Sequence, residues 1–105
     1  MVDNIIVLID KTFDTTTKNG NWVIDFYADW CNPCKIMAPH FEKAASEIKG
    51  VKFSKLDIEA SPEVPQRFGV MSIPTTLFMQ NGEAVAMHSG ILKLDDIKKK
   101  ISQNF

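Results

Sequence analysis

Residues 21–28, NWVIDFYA, are apolar at nearly every position, where a half-exposed strand would alternate. So short and so evenly apolar a run suits a strand buried on both faces of a parallel sheet. One charge interrupts it. Asp25 has apolar neighbours on both sides, and an unpaired carboxylate is costly to bury, so this side chain is expected to be neutral, paired or functional.

The segments around the run alternate between strand and helix. NIIVLI (4–9) reads as a first strand. DKTFDTTTKNG (10–20) offers a helix start at Asp10, weakened by the β-branched Thr15, Thr16 and Thr17 and ended by Asn19-Gly20. The longest helix is predicted over 32–49, where Met37, Phe41, Ala44, Ala45 and Ile48 make one buried stripe. Pro33 sits in its first turn, where a missing N–H costs little; Pro39 is expected to kink it, and Gly50 to stop it. VKFSKLDIE (51–59) reads as a strand, and SPEVPQRFG (61–69) as a short helix with Ser61 as its cap. Asn81-Gly82, between TTLFMQ (75–80) and EAVAMHS (83–89), is a strong hairpin signal. Leu94, Ile97, Ile101 and Phe105 keep helical spacing, with Asp95 and Asp96 early and Lys98, Lys99 and Lys100 later, as the helix dipole favours. The order is β-α-β-α-β-α-β-β-α, an α/β chain with parallel strands first and an antiparallel hairpin at the edge.

At 105 residues the chain is expected to form one domain over 1–105. A chain of this size buries roughly 65% of the surface its unfolded form exposes, enough for a core without disulfide staples. The formal net charge of −1 argues against a nucleic-acid partner. MVDNIIVLIDK lacks the basic lead and long apolar stretch of a secretory signal, and no run approaches the roughly eighteen apolar residues of a membrane span. The cytoplasm is the expected compartment, where thiols are kept reduced.

Against that background the only two cysteines, Cys31 and Cys34, lie in one C-x-x-C motif. They suit half a zinc site, a structural disulfide or a redox-active dithiol. Zinc needs four ligands. On a helix, His40 lies about 9 Å along the axis from Cys34 and about 120° around it, too far to share a metal. His40 and His88, the only histidines, read as surface residues, so a zinc site would have to be shared between two chains. A disulfide closing so short a loop removes little chain entropy and adds little stability. The redox dithiol fits the placement: Cys31 stands where a buried strand gives way to a helix, whose unpaired N–H groups and partial positive charge favour a thiolate. C-x-x-C beside a βαβ pattern is a redox signature. No G-x-G-x-x-G or P-loop occurs, so no nucleotide cofactor is expected and electrons must come from another protein.

At this point the chain resembles the thioredoxin family. The resemblance rests on DFYADWCNPCK (25–35), Pro39, SIPT (72–75), NGE (81–83) and Gly90, in order over essentially the whole chain. It implies the thioredoxin fold, a central mixed sheet flanked by helices, with a cis peptide bond before Pro74 packed against the dithiol. It implies an attacking role for Cys31 and a resolving role for Cys34, with Asp25 as a buried acid beneath the pair and Lys55 as its buried lysine partner. Trp30, Ile73, Pro74, Gly90 and Ile91 match the family's substrate-gripping surface, and Pro33 and Lys35 match its usual proline and lysine.

Three positions depart from the family pattern. Asn32 stands between the cysteines where glycine is usual, and at the helix start it is a candidate cap. Tyr27 replaces a common tryptophan, and Ser72 a common glycine. Tyr27 is expected to pack, and Met37, Met71, Met79 and Met87 to fill core gaps. No histidine lies between the cysteines, as it does in oxidising relatives, so the resemblance implies a protein-disulfide reductase. It would act as a monomer on disulfide-containing client proteins and be restored by a thioredoxin reductase or its equivalent, with no cofactor and no metal of its own. An oxidase or isomerase would use the same chemistry at a different poise, and a non-catalytic binding module would not need Cys31, Cys34, Asp25 and Pro74 intact.

Overall fold

The computed structural model describes residues 4–105; Met1, Val2 and Asp3, expected within the same domain, lie outside the described residues. Five strands form one sheet: β1 (Ile5–Leu8), β2 (Asn21–Tyr27), β3 (Lys52–Asp57), β4 (Thr75–Gln80) and β5 (Glu83–Ser89). Their spatial order is β1-β3-β2-β4-β5. Four helices lie between and after them: α1 (Phe13–Thr16), α2 (Asn32–Glu47), α3 (Glu63–Arg67) and α4 (Leu94–Asn104). This is the mixed, helix-flanked α/β architecture that the sequence implies.

β1 and β2 run parallel to β3, whereas β4 runs antiparallel to β2 and β5 antiparallel to β4. The antiparallel part is therefore wider than an edge hairpin: the reversal begins beside the central strand. Its geometric consequence is local. Asp57, the end of β3, pairs with Tyr27, and Thr75, the start of β4, pairs with Phe26. The chain from β3 to β4 thus stays at one end of the sheet, the end where β2 hands over to the cysteines.

Alternation along β2 divides the core. Trp22, Ile24 and Phe26 pack with Leu8, Leu56, Leu77, Phe13 of α1 and Val64 of α3. Val23 packs on the other side, with Met37 and Phe41 of α2, Phe53, Phe78 and Ile97 of α4. The even apolarity of β2 follows from burial on both of these faces.

Several local expectations change. The helix expected from Asp10 is a single turn, Phe13–Thr16, and the Thr15 and Thr17 hydroxyls add bonds to the carbonyls of Thr12 and Phe13, which the backbone N–H groups of Thr16 and Thr17 also use. Ser61 does not cap α3. Asp10 does so from across the fold, its carboxylate accepting from Glu63 N at 3.0 Å and Val64 N at 2.8 Å, while Ser61 Oγ accepts from Asp10 N. α2 contains Pro39 and ends at Glu47, two residues short of the expected Lys49. His40 is not a plain surface residue: its Nδ1 accepts from Leu94 N at 3.1 Å and ties α2 to the start of α4. Met37 and Met79 are core residues as expected, but Met71 and Met87 are exposed. The Asn81-Gly82 hairpin forms with both residues at positive φ, 51° and 83°, as its turn type requires. No described helix is long and apolar enough to cross a membrane.

Candidate functional site

β2 ends at Tyr27, and four residues later Cys31 becomes the N-cap of α2. Its backbone is extended, φ −86° and ψ 109°, so its side chain turns back over the first turn. The Cys34 N–H donates to Cys31 Sγ at 3.2 Å. A helix-terminal donor aimed at that sulfur favours negative charge there once the sulfur is free. Cys31 and Cys34 form a disulfide, with Cα atoms 5.3 Å apart. Both are nearly buried, against Ala28, Tyr27, Ile58 and Ile73. Because Cys31 takes the cap position, Asn32 does not: it is the first helical residue and exposed, followed by Pro33. Lys35 is also exposed, and its N–H donates to Cys31 O at 3.2 Å.

Asp25 lies on the α2 side of the sheet and lines a cavity of about 560 Å³ together with Val7, Tyr27, Cys34, Phe41 and Lys55. Its Oδ1 is buried with no hydrogen-bond partner among the described residues. Burial pushes its carboxyl from 3.8 up to about 7, and Lys55 opposes the rise. Lys55 is Asp25's register partner on β3, but it makes no ion pair with it among the described residues. It is half-buried, not buried, and its Nζ lies 5.5 Å from the centroid of the Tyr27 ring. Tyr27 thus does more than pack; burial, with Asp57, Asp29 and Asp25 nearby, raises its phenol above the usual value. A buried acid poised near neutrality, sharing a cavity with Cys34, is suited to exchanging a proton there.

The remaining sequence-predicted residues gather around the same end of the sheet. The Ile73–Pro74 bond is cis, and Pro74 is buried beside the half-buried Ile73. Gly90, at φ 105°, donates its N–H to Pro74 O at 2.8 Å, which holds the turn after β5 against this bond. Trp30 is 63% exposed and Ile91 38%. Two neighbours carried no signal in the sequence. Met71, two residues before Ile73, is 94% exposed. Glu59 accepts the indole N–H of Trp30 at 2.8 Å and fixes that ring's direction. Its position two residues before Ile73 is the one mark that Met71 carries; the Glu59 bond depends on a contact across 29 residues.

A family model described as Thioredoxin matches residues 4–103. The chain belongs to the thioredoxin family. A thioredoxin of Chlamydia muridarum is 37% identical over 98 residues, 93% of this chain and 96% of that protein. A thioredoxin of Listeria monocytogenes is 37% identical over 97 residues, 91% of this chain and 94% of that protein. Thioredoxin C-3 of Corynebacterium nephridii is 38% identical over 100 residues, 93% of this chain and 69% of that protein. With Cys31 and Cys34 paired in the family's C-x-x-C position, the protein is a thiol-disulfide oxidoreductase of the protein-disulfide reductase type.

Proposed function

We propose that the reduced protein delivers two electrons to disulfides of client proteins in the cytoplasm, acting as a monomer, and that a separate reductase restores the dithiol. The Cys31 thiolate attacks one sulfur of a client disulfide. A Cys31–client disulfide forms, and the other client sulfur leaves as a thiolate and is protonated by solvent. Cys34 gives its proton to the Asp25 carboxylate and attacks Cys31. The mixed disulfide breaks, the second client sulfur leaves as a thiolate and takes up a proton, and the Cys31–Cys34 disulfide closes. Lys55 offsets part of the cost of charging Asp25. Trp30, Ile73, Pro74, Gly90 and Ile91 form the rim on which the client chain rests, with Asn32, Pro33 and Lys35 at its helix side.

The observation that carries this reading is the N-cap geometry of Cys31, with the Cys34 N–H on its sulfur and a buried carboxyl in the cavity behind. Trapping tests it. Cys34→Ser should accumulate mixed disulfides with clients and Cys31→Ser should not, and iodoacetamide should alkylate Cys31 first in the reduced protein. Trapping through Cys34 in the Cys31→Ser variant would reverse the assignment. Ile73→Asp should slow client reduction several-fold without moving the potential of the dithiol; a moved potential with unchanged client rates would place Ile73 in the core and not on the rim.

A further inference from the structure

Six polar or charged side chains are buried among the described residues: Thr17, Asp25, Ser54, Ser61, Thr75 and Thr76. Four have partners. Thr17 donates to Phe13 O, Ser54 to Val23 O and Thr75 to Ser72 O, while Ser61 accepts from Asp10 N. The two left over are Thr76 Oγ1 and Asp25 Oδ1, neither of which has a partner among the described residues. They are not scattered. Asp25 and Thr76 are directly opposite in the antiparallel β2–β4 register, so their side chains stand on one face with Cβ atoms about 4.5–5.5 Å apart.

We propose that Thr76 is a positioning residue for the dithiol chemistry: its hydroxyl donates a hydrogen bond to Asp25 when that group ionises, and so sets the pH at which Asp25 can take the proton of Cys34. The inference rests on the reading of Asp25 as the proton acceptor. A hydroxyl can donate or accept, whereas a carboxylate can only accept, so the two groups are complementary. The proposal requires a rotation of the threonine side chain about its first torsion, and the position is fully buried, where leaving both groups unpaired is most costly. Hydrogen bonds to the charged form are the stronger ones, so the hydroxyl favours ionisation. It works against the burial that raises the Asp25 carboxyl to about 7. If apolar filling were all that position 76 required, valine would supply the same shape without a buried hydroxyl.

Other groups also face Asp25 or its cavity. They are Lys55 on β3, Tyr27 on β2, Asp29 after it, and Lys35 and Glu42 on α2, with Asp57 of β3 beside Tyr27. His88 on β5 stands next in the row beyond Thr76. Thr76→Val leaves all of these in place, so any change in the titration of Asp25 reports the hydroxyl. The Asp25 side-chain carbon is followed by NMR against pH in the parent, Thr76→Val and Thr76→Ser. In Thr76→Val the midpoint should rise by about one pH unit, the order expected for losing one hydrogen bond to a charged group. Thr76→Ser, which keeps the hydroxyl, should restore it. At pH 7 such a rise takes Asp25 from about half ionised to about one-tenth, so single-turnover resolution of a trapped mixed disulfide should slow about fivefold in Thr76→Val and recover at higher pH. An Asp25 midpoint unchanged in Thr76→Val, or a Thr76→Ser variant that follows Thr76→Val, overturns the proposal. Asp25→Asn keeps the two readings apart. If it resolves mixed disulfides at the parental rate, the acceptor role falls, while the titration still reads the Thr76 bond. If it is slow but Thr76→Val resolves at the parental rate, the proposal falls and the acceptor role stands.

Discussion

The two faces of β2 are built from alternate residues of the same seven, yet they are finished differently. On one side Trp22, Ile24 and Phe26 close against α1, α3 and the neighbouring strands. Each polar group there has a partner: the Trp22 indole N–H on Asn19 O, the Ser54 hydroxyl on Val23 O, the Thr75 hydroxyl on Ser72 O. On the other side Val23 is packed as tightly, but one step along the strand Asp25 opens onto a cavity with its Oδ1 unpartnered. Both faces are buried, so burial alone does not separate structure from chemistry. What separates them is completion: among the described residues one face pairs its buried polar groups, and the other leaves a carboxyl oxygen unpaired beside the cavity that Cys34 also lines.

The largest expected effect tests the closed face. Phe26→Ala removes a fully buried ring and should cost about 3–5 kcal/mol in denaturant unfolding, with client reduction per folded molecule unchanged. A loss of rate without a loss of stability would show that this face also takes part in the chemistry. The open face should behave oppositely. The folded-state pKa of Asp25 is raised above its unfolded value, so the folded state holds the proton more tightly and stability is lost as pH rises from about 4 through about 7. Asp25→Asn removes that loss. It should be more stable than the parent at pH 8, by as much as about 4 kcal/mol, with the advantage vanishing towards pH 4. Unfolding curves at both pH values check it; a variant destabilised at pH 8 would make Asp25 a structural partner and erase the contrast between the faces. The smallest effect sharpens the contrast. Asp10→Ala uncaps α3 on the closed side and should cost about 1 kcal/mol with the pH dependence of resolution unaltered. A changed pH profile in that variant would mean that the two faces communicate.

What could be read from the chain and what could not divides along sequence distance. The β2 run, the Asn81-Gly82 turn, the stripe of α2 and the C-x-x-C at its start are patterns within about a dozen residues, and each became the element expected of it. Asp25 stood out for the same reason, as a charge inside an apolar run. The misreadings concern bonds made across the fold. Ser61 is the natural local cap for α3, but Asp10 is carried in by the parallel pairing of β1 with β3 and takes both N–H groups. Asn32 is a good cap residue, displaced by one position because Cys31 keeps the extended backbone that a cap needs. His40 meets Leu94 only because α4 packs beside α2. Thr76 had no visible meaning until the β2–β4 register set it opposite Asp25. The client surface is an expectation from family resemblance alone, since nothing in the local pattern of Ile73, Gly90 or Ile91 marks one.

The cap that Asp10 places on α3 has a bearing on how the molecule opens. Five residues are too few to hold a helix alone, and the first amides of this one are held by a carboxylate two residues beyond β1, an edge strand paired on one side only. Segments more than fifty residues apart are thereby latched into one cooperative unit. Amide exchange at Glu63 and Val64 should keep time with exchange along β1, not with the neighbouring turns of their own chain. The loop that follows α3 carries Ile73 against the cysteines, so fraying at the outer edge of the sheet reaches the dithiol as slack in the loop that packs on it.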